Sequence, residues 1–102
     1  MKFLYNATIG IDKELETEWL TWMKEYYLPK AMQSGAFTDY KIYKGLTHEA
    51  EDNSASYSIQ HFSEGIDKIV HYLNNDGKVL IEELRNRYKD RHIVFNTLLQ
   101  EY

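Results

Sequence analysis

The sequence predicts an α+β domain: a four-stranded antiparallel sheet with its helices on one face, built in the order β-α-β-β-α-β. Three observations predict it. Phe3, Tyr5, Ala7, Ile9 and Ile11 alternate with Leu4, Asn6, Thr8 and Gly10, the period of a strand with one apolar face. Residues 19–32, WLTWMKEYYLPKAM, form the densest apolar and aromatic run and repeat at helical spacing. Three more strand-like segments follow, with a second helical stretch before the last of them.

The elements follow in order. After the first strand, Asp12 is placed to N-cap a helix over 13–28, with Glu14, Glu16 and Glu18 near the positive end of its dipole. Leu15, Trp19, Trp22, Met23 and Tyr26 make its apolar stripe. Pro29 removes a donor and crowds the carbonyl of Glu25, so the helix is expected to end near Tyr27 or to bend there. Ser34-Gly35 closes the segment. Residues 37–46 are rich in aromatic and β-branched side chains and read as a second strand. Residues 47–54, THEAEDNS, are polar and acidic, hence a solvated hairpin connection. In the third strand, 55–62, Tyr57, Ile59 and His61 share one face; Ser58, Gln60 and Phe62 share the other. Ser63 is expected to cap a helix carrying Ile66, Ile69, Val70 and Leu73. Asp76 should cap a further piece carrying Leu80, Leu84 and Tyr88. Asp90-Arg91 reads as a turn with a local ion pair, and 92–99 as the fourth strand.

Two right-handed split βαβ units fold into the ferredoxin-like arrangement. One sheet face is then left bare, with Leu4 and Phe62 exposed among polar side chains. Packing it against a second copy, sheet on sheet, covers it with one symmetry operation. A homodimer of the dimeric α+β barrel kind is expected, with Leu4 and Phe62 at its interface.

Composition narrows the function. The 102 residues make one domain, 1–102, with 43% hydrophobic residues and a net charge of −4. That charge offers no electrostatic basis for binding nucleic acid or an anionic membrane. The third strand, ASYSIQHF, lacks the basic and aromatic pattern with which RNA-binding domains of this topology stack bases. With no cysteine, disulfides, thiolate nucleophiles and Cys–zinc sites are excluded, and a cytoplasmic location is compatible. The N-terminal residues are too polar for a signal peptide or a membrane span.

No motif fixes a reaction. His48, His61, His71 and His92 form no H-x-x-x-H pair, so no metal site is written locally. Each is by default a surface or satisfied structural histidine. His61 and His92, on strands, are the two placed to face a cleft, where an imidazole can serve as a general base or a haem ligand. Glu49, Glu51 and Asp52 lack the glycine and terminal glutamate of a calcium loop. A phosphate site fails for want of a glycine-rich loop before the first helix, and no nucleophile elbow or triad is present. The aromatic stripe is read first as core, with Tyr26 or Tyr27 placing a hydroxyl at a cavity edge.

The chain also resembles a family of small bacterial proteins known only as domain of unknown function 4286. The resemblance is carried by YNATIGID (5–12), WLTWMKEYYLP (19–29), YSIQHF (57–62) and DRHIVFNTLL (90–99). It implies a dimeric α+β barrel and no established activity. Many members carry a histidine directly before the apolar–Pro pair; here that position is Tyr27, so a function resting on that imidazole does not transfer.

The readings are ranked accordingly. A homodimeric small-molecule-binding or accessory protein comes first, with no catalytic residue, cofactor or metal assigned, and with Asn6, Thr8, Tyr27, Gln60 and His61 as candidate pocket residues. A structural or protein-interaction module comes second. A cofactor-poor monooxygenase or isomerase, by fold analogy, comes third.

Overall fold

The computed structural model describes residues 2–46 and 53–102. Strands β1 (Phe3–Asp12), β2 (Asp39–Lys44), β3 (Ser54–Ser63) and β4 (His92–Gln100) form one antiparallel sheet in the order β2-β3-β1-β4. This is the ferredoxin-like arrangement that the element order predicts. In the central pair Leu4 lies opposite Phe62, Thr8 opposite Ser58 and Ile9 opposite Tyr57. On β1's other side, Leu4 meets Leu99 and Ile9 meets Val94.

Two helical segments cover one face. The first runs through a 3-10 turn (Lys13–Leu15), α1 (Glu16–Trp22), a π turn (Met23–Tyr27) and α2 (Leu28–Gln33). The second comprises α3 (Ile66–Asn74), α4 (Asp76–Tyr88) and a closing 3-10 turn (Lys89–Arg91). The helix does not end near Tyr27. The Leu28 N–H instead bonds the Met23 carbonyl five residues back. That wider turn comes just before the point where the proline ring would crowd an ordinary helix and leave a carbonyl without a donor, so the chain continues into α2. Gly35, at φ 80°, closes the segment, its N–H reaching the Met32 carbonyl.

The buried stripe is displaced from the one read in the sequence. Trp19, Met23 and Tyr27, one turn apart, face the sheet, with Leu28 and Ala31. Trp22 and Tyr26 are only half-buried: the Arg87 guanidinium lies 5.2 Å from the Trp22 ring, and Tyr26 donates to Glu83 at 2.7 Å. On α3 the inward residues are Ile69 and Tyr72, whereas Ile66 and Val70 are exposed. Leu80, Leu84 and Tyr88 of α4 are buried as expected.

Three local expectations are corrected. Asp12 makes no capping bond; its carboxylate pairs with the Arg91 guanidinium, which also reaches Glu14 at 3.1 Å. Arg91 thus joins the end of β1 to the start of β4 and does not pair with its neighbour Asp90. Ser63 stands before the cap residue Gly65, and its hydroxyl accepts the Gly65 N–H at 3.3 Å. Asp76 lies within the first turn of α4, and Asn75 precedes the helix with its amide on the His71 carbonyl at 2.8 Å. The second strand is also shorter than expected, because Phe37 turns into the core before β2 begins. His48, Glu49, Glu51 and Asp52 lie outside the described residues.

Trp19→Ala is expected to cost about 3–5 kcal/mol in chemical denaturation, as for large core truncations, and Trp22→Ala clearly less. Equal losses would refute the displaced stripe. Gly77 packs against Tyr72, with an added Cβ falling 2.4 Å from that ring. Gly77→Ala should therefore destabilise by about 1–3 kcal/mol, although alanine is the better helix former.

Candidate functional site

The strand alternation divides the sequence-derived candidates between two surfaces. Odd-numbered residues of β1 and β3 face the helices and even-numbered ones face away. Tyr27 and His61 therefore reach a cavity between sheet and helices, whereas Asn6, Thr8 and Gln60 lie on the opposite face and do not contribute to it. The five do not form one pocket, because the sheet itself stands between them. On the bare face the Ser58 hydroxyl donates to the Asn6 carbonyl oxygen at 2.7 Å, and the Asn6 amide donates to Thr8 at 3.1 Å. These polar groups satisfy one another. Leu4 and Phe62 are on that face too, joined by Ile93, Phe95 and Leu99 of β4. Phe95 is 69% exposed and Ile93 63%.

The cavity measures about 300 Å³, at the lower end of the range usual for small-molecule sites. Ile9, Ile59, Met23, Tyr27, Leu84 and Val94 supply much of its wall. The π turn sets Met23 and Tyr27 here, and burial holds the Tyr27 hydroxyl far above the usual phenol range. Tyr5, also in the wall, is pushed up to about 12 by the same cause.

His61 is the distinctive group. It is 2% exposed, with its ring 5.4 Å from Tyr5 and 4.8 Å from Phe37. Its Nδ1 lies 3.2 Å from the Tyr5 carbonyl oxygen. A carbonyl has no proton to give, so Nδ1 carries the hydrogen and donates it. Nε2 is then a bare lone pair, buried and without a partner among the described residues. Burial lowers the His61 pKa to about 4, only partly opposed by the Tyr5 bond, so the ring is neutral at pH 7. An unmatched buried acceptor costs free energy on the order of 1–3 kcal/mol.

The other end of the cavity differs in kind. Arg85 of α4 and Lys89 just after it are exposed and line the cavity, with His92 and Asn96 of β4. Lys89 has φ 47°, a left-handed conformation that a side chain adopts at some cost, and its carbonyl accepts from His92 Nδ1 at 2.6 Å. Sequence reading placed His92 toward a cleft, as observed, but missed Arg85, Lys89 and Asn96. Nothing in their local pattern distinguishes them from solvated surface residues. His71 is exposed on α3, away from the cavity. Among the described residues no group of acidic and histidine side chains is placed to hold a metal ion, and no helix is long and apolar enough to cross a membrane.

The sequence profile of a domain of unknown function, DUF4286, matches residues 2–102. The chain belongs to this family. No curated protein matches it. Among solved structures, a protein of the ethyl tert-butyl ether (EthD) family from Bacillus halodurans is similar in fold. Its TM-score is 0.73 at 8% identity, over 98% of this chain and 99% of that one. A dimeric ferredoxin-like protein from an uncultured marine organism has a TM-score of 0.59 at 10% identity, over 99% and 98% of the two chains. SnoaB, a cofactor-independent oxygenase from Streptomyces nogalater, has a TM-score of 0.60 at 14% identity, over 99% and 91%. At these identities the likeness is one of fold.

The titration of His61 has a stability consequence. Its folded pKa lies below the unfolded value of 6.5, so below pH 6.5 the unfolded chain binds a proton that the folded chain refuses. Stability should be flat above that pH and fall by about 3 kcal/mol between pH 6.5 and 4. Urea midpoints across this window check it. His61→Phe should flatten the upper part of the slope; below about pH 4.5, Glu16 adds to the loss, because Lys44 and Tyr57 hold its carboxyl below the usual range.

Proposed function

We propose that this DUF4286 protein is a homodimeric small-molecule-binding protein whose ligand occupies the cavity between sheet and helices. The carrying observation is His61: a neutral imidazole of fixed tautomer that lines the cavity, with its Nε2 lone pair buried and without a partner among the described residues. A core histidine that served packing alone would cost less as a phenylalanine. The ligand therefore presents a hydroxyl or N–H to Nε2 and an apolar body to the surrounding walls.

Sheet-to-sheet pairing completes the reading. Phe95, Ile93, Leu99, Leu4 and Phe62 make an apolar face that a second copy would cover, as the name of the dimeric neighbour suggests by analogy. The absence of cysteine is compatible with a cytoplasmic location.

A second reading has the same imidazole as a general base. A neutral histidine with a free Nε2 can remove a proton from an acidic hydroxyl or carbon acid. The oxygenase among the fold neighbours works without a cofactor, which gives this reading its analogy.

Native mass spectrometry of gently purified protein tests the proposal. The expected result is a dimer carrying extra mass that His61→Phe loses while remaining folded and dimeric. Retention of the mass by the variant would refute the role of His61. Phe95→Glu should give a folded monomer in sedimentation, since the introduced charge would be buried unpaired, and Phe62→Glu, whose carboxylate would have Lys41 near it, should weaken the dimer. A folded dimer in both variants would refute this interface.

A further inference from the structure

The two ends of the cavity differ in a way that specifies the ligand further, on the reading that the cavity binds one. At the floor His61 is 2% exposed and offers an acceptor only. At the mouth stand Arg85 and Lys89, both exposed. Their neighbours in sequence are engaged: Arg87 reaches Glu18 at 3.1 Å, and Arg91 holds Asp12 and Glu14. Among the described residues the Arg85 and Lys89 side chains make no ion pair or hydrogen bond. Among the described residues no aspartate or glutamate lines the cavity, although the chain carries 16 acidic residues against 12 basic ones. Two cations at the opening of a site lined otherwise by uncharged side chains and imidazoles, in an acidic protein, select by charge.

We infer that the ligand is a small organic anion, a carboxylate on a ring-sized apolar body with a hydroxyl at its far end: the carboxylate lies between Arg85 and Lys89, and the hydroxyl donates to His61 Nε2. The distribution of exposure sets this direction. An anion is held where water still solvates it and where Arg presents a planar fork to a carboxylate, while a neutral hydroxyl tolerates the dry floor. The walls between the two ends favour an aromatic ring, because Tyr5 and Tyr27 offer ring contacts and Met23 a polarisable sulfur. The space of about 300 Å³ admits one such ring.

Calorimetric titration of the full-length protein with three probes tests this. 4-Hydroxyphenylacetate carries both polar ends, p-cresol lacks the carboxylate and phenylacetate lacks the hydroxyl. The expected order places 4-hydroxyphenylacetate about tenfold or more above each of the others, the difference made by one charge-assisted or one buried hydrogen bond. Its affinity should fall with added salt, and that of p-cresol should not. In the double variant Arg85→Gln/Lys89→Gln, at two exposed positions, the preference over p-cresol should vanish while the preference over phenylacetate persists. His61→Phe should do the reverse. Equal binding of p-cresol and 4-hydroxyphenylacetate by the wild-type protein would overturn the anion assignment and leave the cavity reading standing. Binding of none of the three, with the protein folded, would overturn both.

Discussion

Strict alternation along β1 and β3 is the constraint on which the rest depends. Tyr5, Ala7, Ile9 and Ile11 on one strand, with Tyr57, Ile59 and His61 on its neighbour, present a continuous surface to the helices. Trp19, Met23 and Tyr27 close over it, with the Trp19 and Tyr57 rings 4.9 Å apart. A slip of one residue in this register would bring Asn6, Thr8, Ser58 and Gln60 beneath the aromatic helix and strand their polar groups there. The pairing is therefore enforced by the core and by the mutual bonding of the polar face alike.

The same alternation explains why one imidazole is buried. His61 takes its turn in the inward row, between Ile59 and Ser63, and burial follows from position alone. The fold meets half of its hydrogen-bonding need with the Tyr5 carbonyl on the adjacent strand. The other half, Nε2, has no partner among the described residues, and the residue lines a space that the side chains do not fill. The π turn contributes to that space: by widening the helix just before Pro29, it brings Met23 and Tyr27 to its wall and carries the chain on into α2. The helix contributes Tyr27 to that wall, and among the described residues the buried imidazole comes from the sheet.

At the cavity mouth the chain passes from α4 through a short turn into β4, and the geometry there is costly. Lys89 adopts a left-handed backbone, His92 bonds its carbonyl, and Arg91 is drawn outward to Asp12 and Glu14. These contacts keep Lys89 beside Arg85 at the opening and separate both from the acidic residues that neutralise the neighbouring arginines. Exposed ion pairs of this kind add little stability. Their consequence here is the arrangement of charge.

The amino-acid sequence by itself determined the class of fold, because periods of two and of 3.6 residues are local properties. They gave the four strands, both helical stretches and the sorting of Tyr57, Ile59 and His61 from Ser58, Gln60 and Phe62. Local pattern was weaker where several residues compete for one role. Trp22 and Trp19 fit a helical stripe about equally well, and only the packing against β3 decided that Trp19 is the one enclosed. The course of the helix through Pro29 depended on a hydrogen bond shifted by one residue, which no composition announces. The candidate site was half legible: Tyr27 and His61 were identified, but Asn6, Thr8 and Gln60 were grouped with them although the sheet separates the two sets. Arg85 and Lys89 were not legible at all. Their role rests on lying beside a cavity whose floor is more than twenty residues away in the chain, and proximity of that kind exists only once the strands have paired and α4 has packed across them.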